Sequence, residues 1–380
     1  LEARRRRSRR IALALVLAFL ASLVPASLLL RKAWLKRQPR SLALDNLAPF
    51  KVRVGRGVVA VFADGAVDLG NLRPSTFQGD KRNFSRVWLY SPDGELLGTL
   101  DDPETLAILE DVAVSPSGEW IATQTGGARE GPKGVLTFLR KETRVWRTKT
   151  RERLWSQRAE GRLSFSPESD RLLSAESAAE LDGNPTDRSV ASGSSGLYAL
   201  WSVPQGELLK KGRDLAFPDG FTSGGVVRSG GASVAALDSG DVTVYSLRED
   251  KVLSRWTPGP VLGSFAFSEP GRLFASNLGG SILLSRVSDG LPLRLIDIPG
   301  ENPVTSVAFS SDEETLAYVL TRREIHAVNV ATGRSLTVLG EKEKGGDSGA
   351  NEIESIAFLP DEDLIVANRG NRIDFCPVRR

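Results

Sequence analysis

The stretch VTSVAFSSDEETLAYV, Val304 to Val319, alternates apolar and polar residues, breaks at an acidic turn, and resumes as a second short apolar run. That pattern predicts two antiparallel strands around a tight turn. It continues as EIHAVNVATGRSLTVL, Glu324 to Leu339, where alternation returns, Ala331-Thr332-Gly333 supplies another turn, and a fourth apolar run follows. Four such strands make one antiparallel sheet with two apolar faces. No isolated sheet can bury both, so copies must stack on either side.

Working outward, the first-strand segment recurs as DVAVSPSGEWIA ending at Ala122, RLSFSPESDRLL at Leu173, GSFAFSEPGRLFA at Ala275 and ESIAFLPDEDLIV at Val366. A weaker copy, GGVVRSGGASVAA, ends at Ala236. The second hairpin recurs as VWLYSPDGELLGTL, RVWRTKTRERLW, ALWSVPQGELL, VTVYSLREDKVL and LLSRVSDGLPLRL, and the chain closes on RIDFCPV. Seven repeats of four strands predict an all-β, seven-bladed β-propeller of four-stranded antiparallel blades over residues 50–380.

With its SPDG-like turns, a Trp or Tyr on the third strand at Trp88, Trp146, Trp201 and Tyr245, and a TGxxL-like turn before the fourth, the chain resembles the WD40-repeat proteins. The resemblance covers roughly residues 50–378 and implies a degenerate WD40-like propeller. It lacks the Gly-His pair, and the third-strand Trp is followed by Leu89, Arg147 or Ser202 rather than Asp. The family's buried Asp-His-Ser-Trp network therefore has no counterpart to carry over. Quinoprotein-type and periplasmic PDG-repeat propellers are the neighbouring alternatives.

Charge is unevenly placed. Residues 1–40 hold 11 of the 50 Lys and Arg but only Glu2 of the 47 acids, which leaves 39 − 46 = −7 for residues 41–380. An acidic body repels phosphate backbones, so nucleic acid is not the expected partner. Residues 1–10, LEARRRRSRR, form a basic tail; residues 11–30, IALALVLAFLASLVPASLLL, carry no charge. A helix of that length spans ~30 Å, the thickness of a bilayer's hydrocarbon. Trp34 and five further cations follow, as expected of a membrane-spanning segment. A cleaved signal peptide ending at Val24-Pro25-Ala26 is the alternative. The Arg-rich tail is hard to translocate, so the expected arrangement is a single-pass inner-membrane protein with its propeller outside.

Residues 31–49 read as a basic linker with Pro39 and Pro49. The last repeat supplies only three strands, so Phe50 to Val54 is expected to complete it and close the ring. Entry of that strand from the short-turn face would hold that face toward the bilayer.

Catalytic signals do not assemble. Gly55-Arg56-Gly57-Val58-Val59-Ala60 spells G-x-G-x-x-A, but it runs into β-branched residues rather than the helix a dinucleotide site needs, and reads as a turn. A single His326 and a single Cys376 leave no metal cluster or triad. Asp101-Asp102 and Asp312-Glu313-Glu314 lack the spaced ligands and Gly of a calcium loop and read as solvated turns. Trp155 and Trp256 are expected to pack between blades. No cofactor and no small-molecule substrate is expected.

The expected function is a non-catalytic, membrane-anchored scaffold for protein partners. The alternatives are a quinoprotein- or lactonase-like propeller enzyme, or an envelope-assembly factor freed by signal cleavage. Turns between strands one and two and between three and four are short, whereas GNLRPSTFQGDKRN, QTGGAREGPKG, ESAAELDGNPTDRSVASGSSG and GEKEKGGDSGANE all fall on the other face. Binding residues concentrate on loops carried by a rigid scaffold. The expected partner-binding set is Arg73, Phe77, Lys81, Arg129, Asp187 and Arg188.

Overall fold

The structure, a computed structural model, describes residues 39–44, 50–63, 86–101, 108–126, 128–130, 136–138, 141–159, 162–175, 197–213, 226–229, 233–238, 241–246, 251–257, 264–268, 270–298, 304–340, 352–369 and 372–378. Residues Leu1–Arg40 and Ser41–Arg380 form two separate compact units; the second holds the sheets, with Arg40 at its border.

Among the described residues there are seven four-stranded sheets. The first comprises Phe50–Gly55, Val58–Ala63, Arg86–Tyr90 and Leu96–Asp101; the second Ile108–Val114, Trp120–Gly126, Glu142–Arg147 and Arg153–Gln157. The third has Arg162–Phe165, Arg171–Ala175, Leu197–Ser202 and Leu208–Arg213, and the fourth Val226–Ser229, Ser233–Asp238, Asp241–Ser246 and Lys251–Trp256. The fifth has Phe265–Phe267, Leu273–Asn277, Ser281–Arg286 and Pro292–Asp297. The sixth, foreseen from the alternation, has Val304–Phe309, Thr315–Leu320, Glu324–Asn329 and Ser335–Gly340.

The seventh sheet corrects one expectation. It contains Ile353–Phe358, Leu364–Arg369 and Arg372–Pro377, and its fourth strand is Arg40–Ala43, not Phe50 to Val54. Phe50–Gly55 is already committed: Arg56-Gly57 makes a two-residue hairpin turn that pairs Gly55 with Val58 and Phe50 with Ala63. The residues read as linker supply the missing strand instead. Ser41 Oγ donates to Asp374 Oδ1 at 2.6 Å, and Leu42 and Leu44 join an apolar cluster with Phe50, Val61, Ile373 and Phe375.

Each apolar cluster lies between neighbouring sheets, as it must when a single sheet cannot cover itself. Val58, Phe62 and Leu89 of the first sheet meet Leu109, Val112 and Ile121 of the second. Leu284 and Ile296 of the fifth meet Val307 and Leu316 of the sixth. First strands touch in unbroken succession from the fourth sheet through the fifth, sixth, seventh, first and second to the third.

In four of the sheets the turn after the first strand is built by one hydroxyl. Ser115, Ser166, Ser268 and Ser310 are all buried, and each Oγ accepts the amide five residues on, at Trp120, Arg171, Leu273 and Thr315. Buried hydroxyls need such a partner. The seventh sheet has Leu359 there and keeps the same backbone closure, Leu359 N to Leu364 O at 2.9 Å.

Turns at this end also bind their neighbours. Arg272 pairs with Glu313, and Arg56 with Asp361; Asp361 N donates to Ser311 Oγ, Arg56 N to the Pro116 carbonyl, and Ser117 N to Ser169 Oγ. A belt of polar links thus runs over the short turns from the fifth sheet to the third. It corrects the reading of Asp312-Glu313-Glu314 as a wholly solvated turn: the Glu313 side chain is 9% exposed beneath Arg272. Gly55 belongs to the same belt, since a Cβ there would strike the Ser115 carbonyl.

In the second, third, fifth and sixth sheets the turn between third and fourth strands is pressed against the preceding sheet. Gly290, at φ 70°, sits on the Trp256 ring, leaving no room for a Cβ. Replacing Gly290 by Ala adds a clash to a left-handed conformation that itself costs about 1–3 kcal/mol. Urea unfolding is expected to show a loss of at least that size for Gly290→Ala, and a change within about 0.5 kcal/mol for Gly280→Ala, whose surroundings are open.

Candidate interaction face

The opposite end of the sheets carries the long connections, from Ala63 to Arg86, Gly126 to Glu142, Ala175 to Leu197 and Gly340 to Ile353. To these the structure adds Arg213 to Val226, between the third and fourth sheets, which the loop-length reading passed over. Contact between the first strands makes the seventh, first, second and third sheets neighbours, so four of these connections rise from adjacent positions.

Amides at the ends of second strands hold this face together. Gln124 Nε2 donates to the Ala159 carbonyl at 2.8 Å, Asn277 Nδ2 to Val304 at 3.4 Å and Asn368 Nδ2 to Phe50 at 2.7 Å. Each thus fixes the carbonyl at or just before the start of the next sheet's first strand. Thr143 Oγ1 orients the first by donating to Gln124 Oε1, and Glu354 accepts from Asn368 Nδ2. The three amides stand nine residues after Ser115, Ser268 and Leu359, a spacing visible in the sequence but silent about its partner.

The sixth sheet has Val319 at that position and solves the problem differently. Its hairpin turn places Thr321 and Arg322 at φ 50° and 58°, where Gly or Asn is usual and a β-branched residue is an outlier. The turn points the Arg322 carbonyl at Ile353 N, 2.7 Å away, and Arg322 pairs with Glu352 at 2.8 Å. The backbone carbonyl of a strained turn replaces the missing amide.

A buried carboxylate links three sheets nearby. Asp111, 4% exposed, follows a bulge in its strand; its Oδ1 accepts from Arg53 at 3.2 Å and its Oδ2 from Leu163 N at 2.9 Å. Arg53 also lies over the Phe62 ring. Ser306, again just after a bulge, accepts from Ile356 N at 3.2 Å.

Of the expected partner-binding residues, only Arg129 lies among those described. It is in a small hairpin, Ala128–Glu130 against Leu136–Phe138, where it stands opposite Thr137. Arg73, Phe77, Lys81, Asp187 and Arg188 lie outside the described residues, as do residues 11–30. No helix among the described residues is long and apolar enough to cross a membrane.

Side chains with chemical potential are in structural use. His326 Nε2 lies 3.1 Å from Glu324 Oε2, and its ring stacks on Tyr318 at 5.2 Å. Trp155 packs on Trp201 and Trp256 edge-on to Phe274, both between sheets as expected. Trp146 Nε1 donates to Thr123 Oγ1 at 3.0 Å, so one aromatic-to-hydroxyl link persists where the sequence offered no network to carry over. Among the described residues no three His, Cys, Asp or Glu converge as a metal site. Cys376 is buried in a third strand, and burial, with Asp374 nearby, pushes its thiol up to about 12.

No family model matches the sequence, and no curated protein matches it. Solved structures do. The β-propeller domain of Myceliophteria thermophila Cps50 (Swd1) is 13% identical, with a TM-score of 0.58 over 88% of this chain and 99% of its own. The fold is a β-propeller. A chain of the Mitotic Checkpoint Complex is 12% identical, with a TM-score of 0.59 over 90% of this chain and 96% of its own. At such low identity the likeness shows the propeller architecture alone, with the sheets as blades.

Two outcomes test the polar framework. Asp111→Ala leaves the Leu163 amide buried without an acceptor and is expected to cost about 1–3 kcal/mol in urea unfolding. Cys376 is expected to resist maleimide at pH 7–8 and to react once the chain is unfolded. Below its ordinary value of 9.0 the thiol is neutral in both states; above it the unfolded chain ionises first, so stability falls as pH rises toward about 12.

Proposed function

We propose that the chain is a non-catalytic, seven-bladed WD40-like scaffold, held to a membrane by residues 11–30, that binds protein partners through the end of the propeller bearing the long connections. The observation that carries this reading is the asymmetry of the two ends. Short turns are tied to one another by a polar belt at one end, while long connections rise from adjacent blades at the other. Loops on a rigid support are where recognition concentrates. One of the similar structures comes from a multiprotein assembly by its title, which fits a scaffold. The occupied roles of His326 and Cys376 fit it too.

Arg73, Phe77, Lys81, Arg129, Asp187 and Arg188 form the proposed contact set. Replacing residues 64–85 and 176–196 by short turns should abolish partner capture from detergent-solubilised membranes while moving the thermal midpoint little; undiminished capture refutes the assignment. The tail of six Arg before residue 11 supports a cytoplasmic N-terminus and a propeller outside the inner membrane. Protease added to intact spheroplasts should then digest the propeller, and full protection would reverse the orientation.

A further inference from the structure

Six of the seven outer strands follow their third strand through a short connection. The seventh, Arg40–Ala43, reaches Arg372–Pro377 from the far end of the sequence, and the Ser41 to Asp374 bond spans 333 positions. Closing so long a loop costs entropy that a tight hairpin does not. Arg40–Ala43 is also the shortest outer strand, four residues against five or six elsewhere, and alternates between half-buried and exposed.

Beneath its Ser41 end the floor is ionic, while Leu42 and Leu44 rest on apolar side chains. Asp374 and Arg369 are 8% and 6% exposed, with Arg369 Nε 3.0 Å from Asp374 Oδ2 and Arg372 Nε 3.2 Å from Oδ1. Those ions are taken up by water when the strand departs, so the cost of release falls on the apolar contacts of Leu42 and Leu44. The uncovered edge of Arg372–Pro377 would present backbone donors and acceptors, the template for adding an extended segment.

We propose that Arg40–Ala43 is a releasable clasp, and that the edge beneath it is a docking groove for an extended segment of the pattern Ser-Leu-x-Leu, for which the chain's own strand competes with a partner's. The native occupant defines the chemistry. Ser41 gives a hydroxyl to Asp374, and Leu42 and Leu44, one and three residues on, pack against the cluster of Phe50, Ile373 and Phe375. A partner strand of that pattern displaces the clasp and thereby governs the join between the seventh and first blades. This holds whether or not the long-connection end binds a partner.

The test uses the full chain with a protease site placed within residues 45–49 and a fluorescent peptide of residues 40–46. After cutting, the peptide is expected to bind saturably by anisotropy, and a peptide carrying Ser41→Ala to bind about tenfold or more weaker, the usual effect of losing a hydrogen bond to a charged group. The uncut chain, whose own strand acts at high effective concentration, is expected to bind at least about a hundredfold weaker. A cut chain that never admits the peptide, or equal binding by cut and uncut chains or by a scrambled peptide, overturns the proposal. Hydrogen exchange on the uncut chain is independent of any unfolding on cleavage. Amides of Arg372–Pro377 are expected to exchange faster than those of Glu324–Asn329, and equal protection overturns the clasp.

Discussion

A four-stranded sheet has two faces, and in this protein neither can be left to water. Every sheet therefore needs two neighbours, which a finite series can supply only if its last member meets its first. Here that meeting is made by Phe50, Val61 and Leu44 packing against Ile373 and Phe375, with Ser41 bonded to Asp374. The other clusters repeat the same arrangement locally, as where Leu284 and Ile296 of one sheet cover Val307 and Leu316 of the next. Remove the join and the first and seventh blades each lose the cover of one face.

Apolar packing sets the spacing of the blades; polar groups set their register. Amides at Gln124, Asn277 and Asn368 clamp neighbouring backbone at one end, and the belt through Arg272, Glu313, Asp361, Arg56 and Ser117 clamps it at the other. Where a side chain is wrong for the task, backbone substitutes. Val319 cannot donate, so the turn at Thr321 and Arg322 takes up a costly left-handed conformation and offers its carbonyl to Ile353 instead. Such bonds are worth little each but are costly to leave unmade when buried, which makes them specific.

The proposed function rests on this division of labour. A body stitched at both ends can carry long connections at one of them without itself rearranging, and the connections gather on adjacent blades. The side chains that suggest chemistry in isolation are spoken for: His326 by Glu324 and Tyr318, and Cys376 by burial that keeps its thiol protonated. Low identity to Cps50 and to the checkpoint-complex chain means that the shared feature is the architecture, with the face left free to differ.

The sequence by itself determined the four-stranded repeat, most of its strands and the short turns, because alternation and turn chemistry are local. Val304 to Leu339 reads as a sheet without knowledge of any neighbour, and Ser115, Ser166, Ser268 and Ser310 close their turns within five residues. Tertiary structure decided which strand closes the propeller. Ser41-Leu42-Ala43-Leu44 is too short to stand out in a basic stretch, and its value as a strand exists only beside Asp374 and Phe375, over 300 residues away. The same holds for Asp111, Asn368 and Glu313. Their residue types are ordinary for turns and strand ends, and their roles come from partners on other sheets that only folding brings within hydrogen-bonding distance.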